Sequence, residues 1–371
     1  MSDYLGKDTP KLGFGMMRLP HLEDGSFDLE QIKKMVDLFL ENGFTYFDTA
    51  FVYEGSEETV RKTLVERHPR DSYTLASKLH AMFASSEEVA KRELDISLER
   101  TGVGYFDYYL LHALDDKNYE LYEKYHLWDF VKKAKEEGKI RHIGFSFHGT
   151  PELLDRLLKE HPEAEFVQLQ LNYNDWESPS VQSRKNYETA RRNGRPVVVM
   201  EPIRGGALAN PIEQVRKLFD EADPDASYAS WAIRYIASKE GILTVLSGMS
   251  TMEQMEDNVS YMKDFKPLDE KEEEVIRKVQ EVLASIDSIP CTACHYCTGG
   301  CPMEIPIPDI FSARNRLLLL GTVDKARRDY NRATENKGKA SMCIQCGQCE
   351  SVCPQSINII ERLKECAETF E

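Results

Sequence analysis

Eight short apolar runs, each followed by a stretch of helical period, occupy roughly the first 260 residues and predict a closed barrel of eight parallel strands wrapped by helices. No Gly-x-Gly-x-x-Gly follows the first of these runs, which argues against an open, doubly wound dinucleotide sheet. All nine cysteines lie in the last 81 of 371 residues, which predicts a separate module that holds metal. The expected organisation is therefore an α/β barrel over 1–265, a helical connector over 266–288 and a small, mainly helical module over 289–371.

The first strand is Lys11-Leu12-Gly13-Phe14-Gly15, short, apolar and punctuated by glycine. From Asp28 the period changes. Leu29, Ile32, Met35, Val36, Phe39 and Leu40 share one helical face, with Asp28 as N-cap and Gly43 just past the end. A strand at 44–47 follows, then a charged helix at about 57–67 and the strand Tyr73-Thr74-Leu75-Ala76-Ser77. A helix at about 86–100 leads to the strand Phe106 to Leu111, and an irregular excursion separates it from a helix at 126–137. Ile140 to Phe145, 166–171, Val197 to Met200 and Leu243 to Leu246 read as the remaining strands. Their helices fall at 151–159, about 178–193, 226–238 and 251–262. The run Asp269-Glu270-Lys271-Glu272-Glu273-Glu274 reads as a solvated helix face in the connector.

A formal charge of −16 and the absence of a long basic run argue against nucleic acid or an anionic membrane as partner. Met1 to Pro20 carries no basic-then-apolar leader pattern, and no stretch approaches 18 uninterrupted apolar residues. The expectation is a soluble, cytoplasmic protein.

Three consecutive strands end on chemically active residues. The second is followed by Asp48 and Tyr53, the third ends at Ser77-Lys78, and the fourth at Leu111-His112. Barrel strands aim their carboxyl ends at one mouth, so these four side chains are expected to converge. Taken singly, each has an ordinary structural use as a cap, a rim ion pair or a core histidine; together they form a working set. A phenol near pKa 10 is a poor acid, but an adjacent ammonium stabilises the phenolate. Lys78 supplies that charge, Asp48 holds Lys78, and His112 orients the substrate oxygen. The set is suited to protonating a carbonyl that receives a hydride.

Here the chain resembles the aldo-keto reductases, (β/α)8 barrels that reduce carbonyls with a nicotinamide cofactor. The resemblance is carried by Leu12-Gly13-Phe14-Gly15, Phe47-Asp48-Thr49-Ala50 with Tyr53, Ser77-Lys78, Leu110-Leu111-His112, Gly144-Phe145-Ser146 and Gly248 through Asn258. It implies that Tyr53 is the general acid, supported by Asp48, Lys78 and His112. It also implies an NAD(P)H pocket formed by Ser146, Gln168, Met200, Gly248, Ser250, Gln254 and Asn258 and a small-molecule carbonyl substrate. The pocket departs from the family pattern at three places. Phe147 stands where an Asn often holds the nicotinamide carboxamide, and Met200 where a Tyr often stacks. The run Ser247-Gly248-Met249-Ser250-Thr251 lacks the Lys or Arg often found there for an adenosine 2′-phosphate. In Glu201-Pro202-Ile203-Arg204-Gly205-Gly206, Arg204 and a flexible backbone offer a phosphate cradle, although such a glycine pair more often marks an ordinary turn.

The cysteines form two runs, Cys291-x2-Cys294-x2-Cys297-x3-Cys301-Pro302 and Cys343-x2-Cys346-x2-Cys349-x3-Cys353-Pro354. Each has the bacterial spacing for a [4Fe–4S] cluster, in which the Cys before Pro ligates the other cluster. One cluster is assigned to Cys291, Cys294, Cys297 and Cys353, the other to Cys343, Cys346, Cys349 and Cys301. Zinc uses Cys-x2-Cys pairs but has no use for a repeated run of four. Cys366 is left over as a buried or free thiol. The 302–342 spacer, with a helix expected over Asp309 to Gly321, makes the module resemble the helical two-cluster ferredoxins of respiratory and anaerobic redox complexes.

Clusters pass single electrons, whereas nicotinamide passes a hydride. Three arrangements follow: a carbonyl reductase accompanied by clusters, a cluster-fed reductase with FMN as converter, and an electron carrier or redox-responsive regulator. A redox partner protein belongs to the last two. His80, Tyr108, Tyr173 and Trp176 are further candidates for lining the pocket, with barrel packing as the alternative for each.

Overall fold

In the computed structural model the described residues are 5–179, 181–286, 288–320 and 323–371. The chain divides into two compact units, one of Met1–Pro202 with Ala229–Asp269, the other of Ile203–Tyr228 with Glu270–Glu371.

The first unit is the barrel. Its strands are β1 (Leu12–Gly15), β2 (Tyr46–Asp48), β3 (Thr74–Leu79), β4 (Phe106–Leu114), β5 (Ile140–Phe147), β6 (Phe166–Gln170), β7 (Val197–Met200) and β8 (Ile242–Ser247). They close in sequence order, all parallel, with Leu12 beside Val245 and Phe14 beside Ser247 at the seam. Around them run α1 (Leu29–Glu41), α2 (Ser56–Val60), α3 (Glu87–Thr101), α4 (Tyr119–Lys124), α5 (Leu127–Glu136), α6 (Pro151–Glu160) and α7 (Ser183–Arg192). After α8 (Glu213–Ala222), a helix of the second unit, α9 (Tyr228–Ala237) and α10 (Met252–Met262) complete the series.

Local chemistry sets the helix starts. Asp28 Oδ1 accepts from the Gln31 amide at 3.0 Å, and Ser86, Thr150 and Thr251 cap α3, α6 and α10 in the same way. Several elements differ from expectation. The helix expected at 57–67 is α2 followed by a π-helical stretch, Arg61–Val65. The Thr59 and Thr63 hydroxyls donate to carbonyls four residues back, competition that loosens regular α geometry. The excursion after β4 contains α4. Helix α7 begins at Ser183 because Gln182 is left-handed, with φ 53°.

Tyr46, Tyr108, Phe166 and Leu243 pack together with Leu110 and Val198, contributed by five of the strands. Tyr108 is therefore barrel packing and not pocket lining; its ring lies 5.2 Å from Tyr46 and 5.1 Å from Phe166. Tyr173 and Trp176 likewise pack on Tyr235 of α9.

The second unit is mainly helical, as the long spacer predicts. Beside α8 it contains α11 (Glu270–Ala284), α12 (Ile307–Leu320), α13 (Val323–Thr334), α14 (Gln348–Ser351) and α15 (Ile359–Phe370). Its core joins Ile289, Ile310, Phe311, Tyr330, Leu363 and Phe370 to Cys297, Cys349 and Cys353. Asn315 clamps the strand-like entry by bonding both the amide and the carbonyl of Ile289, at 2.8 and 2.7 Å. Cys366 is fully buried on α15. Among the described residues no helix is long and apolar enough to cross a membrane.

Candidate active site and cluster sites

Strands β2, β3 and β4 are in register at their carboxyl ends, with Asp48 beside Ala76 and Lys78 beside Leu110. This places Asp48 and Lys78 next to each other, both sealed from solvent. Lys78 Nζ donates to Asp48 Oδ1 at 2.5 Å and to the Thr49 carbonyl at 2.8 Å. Tyr53 stands at the end of a tight turn after β2, its amide bonded to the Ala50 carbonyl. Lys78 Nζ is 4.8 Å from the centre of its ring, and the ring meets His112 edge-on at 5.8 Å. The four residues expected to converge are thus one contiguous group.

Burial sets their charge states. It pushes the Lys78 amine below its ordinary range, while the Asp48 carboxylate pulls back towards the charged form. His112 is driven well below the ordinary imidazole range by burial, with His80, Lys78 and His148 adding to the effect. Burial also brings His80 and His148 down to about 4. The site presents neutral imidazoles beside one buried ion pair.

A bulge aims His112. The β4–β5 register shifts between Leu111 and Leu114, and Ala113 adopts φ 58°, a left-handed value that costs a non-glycine residue energy. Three neighbours hold it there. The Ser146 hydroxyl accepts from the Ala113 amide at 2.7 Å, Asn118 Nδ2 donates to the Ala113 carbonyl at 2.8 Å, and the Tyr122 hydroxyl donates to the His112 carbonyl. Asn118 and Tyr122 have no motif to announce them; only the bulge reveals what they do.

The residues assigned to a cofactor are distributed as follows. Gln168, in the middle of β6, is buried; its Nε2 faces Met200 Sδ at 3.6 Å and its Oε1 has no hydrogen-bond partner. A buried amide oxygen without a donor fits a ligand carboxamide N–H. Asn258 is buried with both amide ends engaged, by Ser247 Oγ at 2.7 Å and the Tyr261 hydroxyl at 2.5 Å. Ser250 Oγ donates to the Arg18 carbonyl at 2.6 Å, and Gln254 Oε1 accepts from the Ser250 amide at 2.8 Å. A Cβ on Gly248 would touch the Arg18 side chain at 3.7 Å. Arg18, which the sequence reading did not single out, therefore brings a guanidinium to the loop that lacks its own cation. It pairs with Glu201 at 3.1 Å. Arg204 belongs to the second unit, and its neighbour Gly205 lies against Thr292: a Cβ there would come within 2.6 Å of the Thr292 carbonyl oxygen. Phe147 is buried, edge-on to Phe145.

The cysteines fall into two groups. Burial raises the Cys291 thiol to about 12 and the Cys297 thiol further, and Cys294 and Cys353 add to both shifts. Cys301, Cys343, Cys346 and Cys349 instead line one small cavity, with Ile305, Ile307 and Leu363 in its wall. Each group contains three cysteines of one run and the Cys-Pro cysteine of the other. Among the described residues no three His, Cys, Asp or Glu side chains are arranged to hold a single metal ion. Four cysteines lining one cavity, drawn from two runs of this spacing, fit a polynuclear cluster, whose iron charge would keep buried thiols ionised.

Two sequence profiles match. That of the aldo/keto reductase family covers residues 11–281, and that of a 4Fe-4S dicluster domain covers residues 283–354. The aldo-keto reductase str7 of Strobilurus tenacellus is 29% identical over 211 residues, 53% of this chain and 59% of that protein. An aldo-keto reductase of Mycolicibacterium smegmatis is 28% identical, with 52% of its length spanned; this chain thus spans little over half of either relative. Among solved structures, the holo form of an aldo-keto reductase from Bacillus halodurans superposes with TM-score 0.59 at 25% identity, over 72% of this chain and 91% of that one. One from Klebsiella pneumoniae, in complex with NADPH, gives TM-score 0.60 at 22% identity, over 73% and 91%. The barrel, its matched profile and the iron–sulfur profile that follows it lead to one conclusion: the chain belongs to the aldo/keto reductase family and carries a C-terminal 4Fe-4S dicluster domain.

Proposed function

We propose that this chain is an oxidoreductase that reduces a small aldehyde or ketone, with Tyr53 giving the proton to the carbonyl oxygen. The observation that carries the reading is the unbroken row Asp48–Lys78–Tyr53–His112 across three adjacent strand ends. An ammonium beside the phenol favours loss of its proton. Neutral His112 is suited to bind the carbonyl oxygen by a hydrogen bond without competing as the acid.

A bound nicotinamide dinucleotide would supply the hydride. Gln168, with its unpaired amide oxygen, and Ser146 would hold its carboxamide, with Met200 against the ring. Gly248, Ser250, Gln254 and Asn258 would frame the adenosine end, and the ion-paired Arg18 is the nearby cation for its phosphates. The two sets of four cysteines would hold [4Fe–4S] clusters for one-electron transfer.

The test is anaerobic NADPH and NADH oxidation against a panel of aldehydes and ketones, using protein with full iron content. Tyr53→Phe should lower kcat by about 100-fold or more and leave KM nearly unchanged, the pattern of a lost proton donor. Equal turnover by the variant, or no turnover with either cofactor across the panel, would sink the reading. A flavin released on denaturation would favour the cluster-fed alternative.

A further inference from the structure

We propose that the surface around Cys346 docks an acidic one-electron carrier protein that exchanges electrons with the cluster assigned to Cys301, Cys343, Cys346 and Cys349. The proposal rests on the electron-transfer role given to the clusters above; it adds where the exchange occurs and with what kind of partner.

The two cluster sites differ in access. Cys297 and Cys353, of the first, and Cys349, of the second, are buried, whereas Cys346 is exposed. The residues beside it are apolar and open to water: Ile344 is 60% exposed and Met342 43%. Ile344 also lines the cysteine cavity. Side chains of this type at a ligand loop contribute little to the core of the unit, but a partner that covers them gains apolar contact at the point where electrons must cross.

The charge of the segment that leads into this loop runs against the rest of the chain. The protein carries −16 overall, yet residues 323–346 hold Lys325, Arg327, Arg328, Arg332, Lys337 and Lys339 against Asp324, Asp329 and Glu335. Asp329 is already engaged, by Arg316 at 2.6 Å and Arg332 at 3.3 Å. Lys325, Arg328 and Arg332 border an open concavity with Asp329 and Glu335. Lys337 and Lys339 are fixed near the cysteines by the glycine between them. The Gly338 amide donates to the Glu304 carbonyl at 3.2 Å, and a Cβ at Gly338 would overlap the carbonyl of Met303, which itself lines the cavity. Both lysines are exposed, as are Glu304 and Glu335, while the Glu371 carboxylate, which accepts from the Ser341 amide and hydroxyl at 3.0 and 2.5 Å, offsets part of the Lys339 charge.

A net-acidic protein with a local basic field beside an exposed ligand loop selects a partner of negative surface, and steers it by that patch alone. In each encounter the reduced carrier loses one electron and the cluster gains one; no bond forms or breaks and no proton moves. Two encounters deliver the electron count of one hydride.

The test uses full-length, cluster-loaded protein and stopped-flow mixing with a dithionite-reduced small acidic ferredoxin. The second-order rate constant is expected to fall by roughly tenfold or more as salt rises from low to moderate ionic strength. Lys337→Glu with Lys339→Glu should lower it about tenfold at low salt, and Ile344→Ser by a few-fold at every salt concentration. For the paired lysine variant, iron content, the visible spectrum and any NADPH-dependent turnover should stay as in the parent. A rate that ignores both salt and the charge reversal would overturn the proposal, as would faster exchange with a basic carrier such as cytochrome c. Reduction of the clusters by dithionite alone separates two failures. If dithionite reduces them and the ferredoxin does not, the docking surface is wrong; if dithionite cannot, the electron-transfer role falls and the proposal with it.

Discussion

Replacing Lys78 by Met removes an ammonium from a place that water does not reach. Lys78 is 0% and Asp48 3% exposed, and the carboxylate has one oxygen on the amine at 2.5 Å while the other has no hydrogen-bond partner. The methionine fills much the same volume but leaves a buried carboxylate with nothing opposite it, a change that costs about 3–5 kcal/mol. Protonation of Asp48 is the way to relieve that cost, and it gives the variant a pH signature. With the ammonium gone, burial acts unopposed, and the folded-state pKa of Asp48 rises above its unfolded value. A carboxyl whose folded pKa is raised contributes stability that is fully present below the unfolded pKa and is lost as pH climbs through the folded one. The deficit of Lys78→Met against the parent should therefore widen from pH 5 to pH 8. Asp48→Leu added to Lys78→Met should recover most of the loss and remain inactive, because no orphaned charge is left. Urea unfolding followed by tryptophan fluorescence suits the measurement, since Trp128, Trp176 and Trp231 all lie in the barrel unit and report on it alone. A deficit under about 1 kcal/mol at pH 8, or one indifferent to pH, would refute the account of a sealed pair.

Cys301→Ala and Cys353→Ala should each reduce iron from about eight to about four atoms per chain, but by emptying different sites. Adding Cys346→Ala to Cys301→Ala should remove no more iron, whereas adding Cys294→Ala should remove nearly all; the reverse pattern would mean that each run ligates its own cluster. Gly205→Ala places a methyl 2.6 Å from the Thr292 carbonyl oxygen at a φ of +62°, so the Cys291 loop must shift. Iron analysis should show partial loss confined to the first site, with an added strain of about 1–2 kcal/mol from the left-handed alanine. Glu93 is buried, and burial lifts its carboxyl to about 8. Its stabilising contribution is complete below the ordinary value near 4.5 and declines as pH rises through 8, so Glu93→Gln should flatten the fall in unfolding midpoint between pH 5 and pH 8.

How much of this was legible in the sequence differs by level. Barrel strands announce themselves because both faces are buried and the runs are uniformly apolar, so their order and spacing carried the fold. Asp48, Tyr53, Lys78 and His112 were legible because chemistry placed at successive strand ends needs no knowledge of loops. The cysteines were legible because a cubane dictates spacing. What stayed hidden depends on contacts distant in sequence. Arg18 reaches Gly248 and Ser250 across the seam where β8 meets β1, and its own segment, Met16-Met17-Arg18, carries no signature. Ala113 looks like ordinary strand until its left-handed backbone shows that β4 runs on past His112 through a bulge. The π-helical stretch after α2 is invisible to a 3.6-residue pattern, since its two buried residues, Thr63 and Leu64, still fall on one face with Val60.

The most consequential hidden feature is where the chain can be cut. By sequence, residues 1–265 form a self-contained barrel, but Ile203–Tyr228 folds with the cysteine unit. Within that unit α8 packs against α11, and Val215, Phe219, Leu208 and Ile212 are all buried. Ending the chain at 265 removes α11 and takes its cover from Val215 and Phe219 of α8. At about 1.5–3 kcal/mol for each, the lost burial is on the order of 3–6 kcal/mol, a large share of the stability of an ordinary domain. The 1–265 fragment should therefore bind hydrophobic dyes and aggregate, though each of its eight strands is present. Replacing residues 204–227 of that fragment with a Gly/Ser linker should restore a soluble barrel, because the linker has no apolar face to hide. A 1–265 fragment that is monomeric and unfolds cooperatively at the parent's urea midpoint would show that the 203–228 segment draws nothing from the helices that follow the barrel.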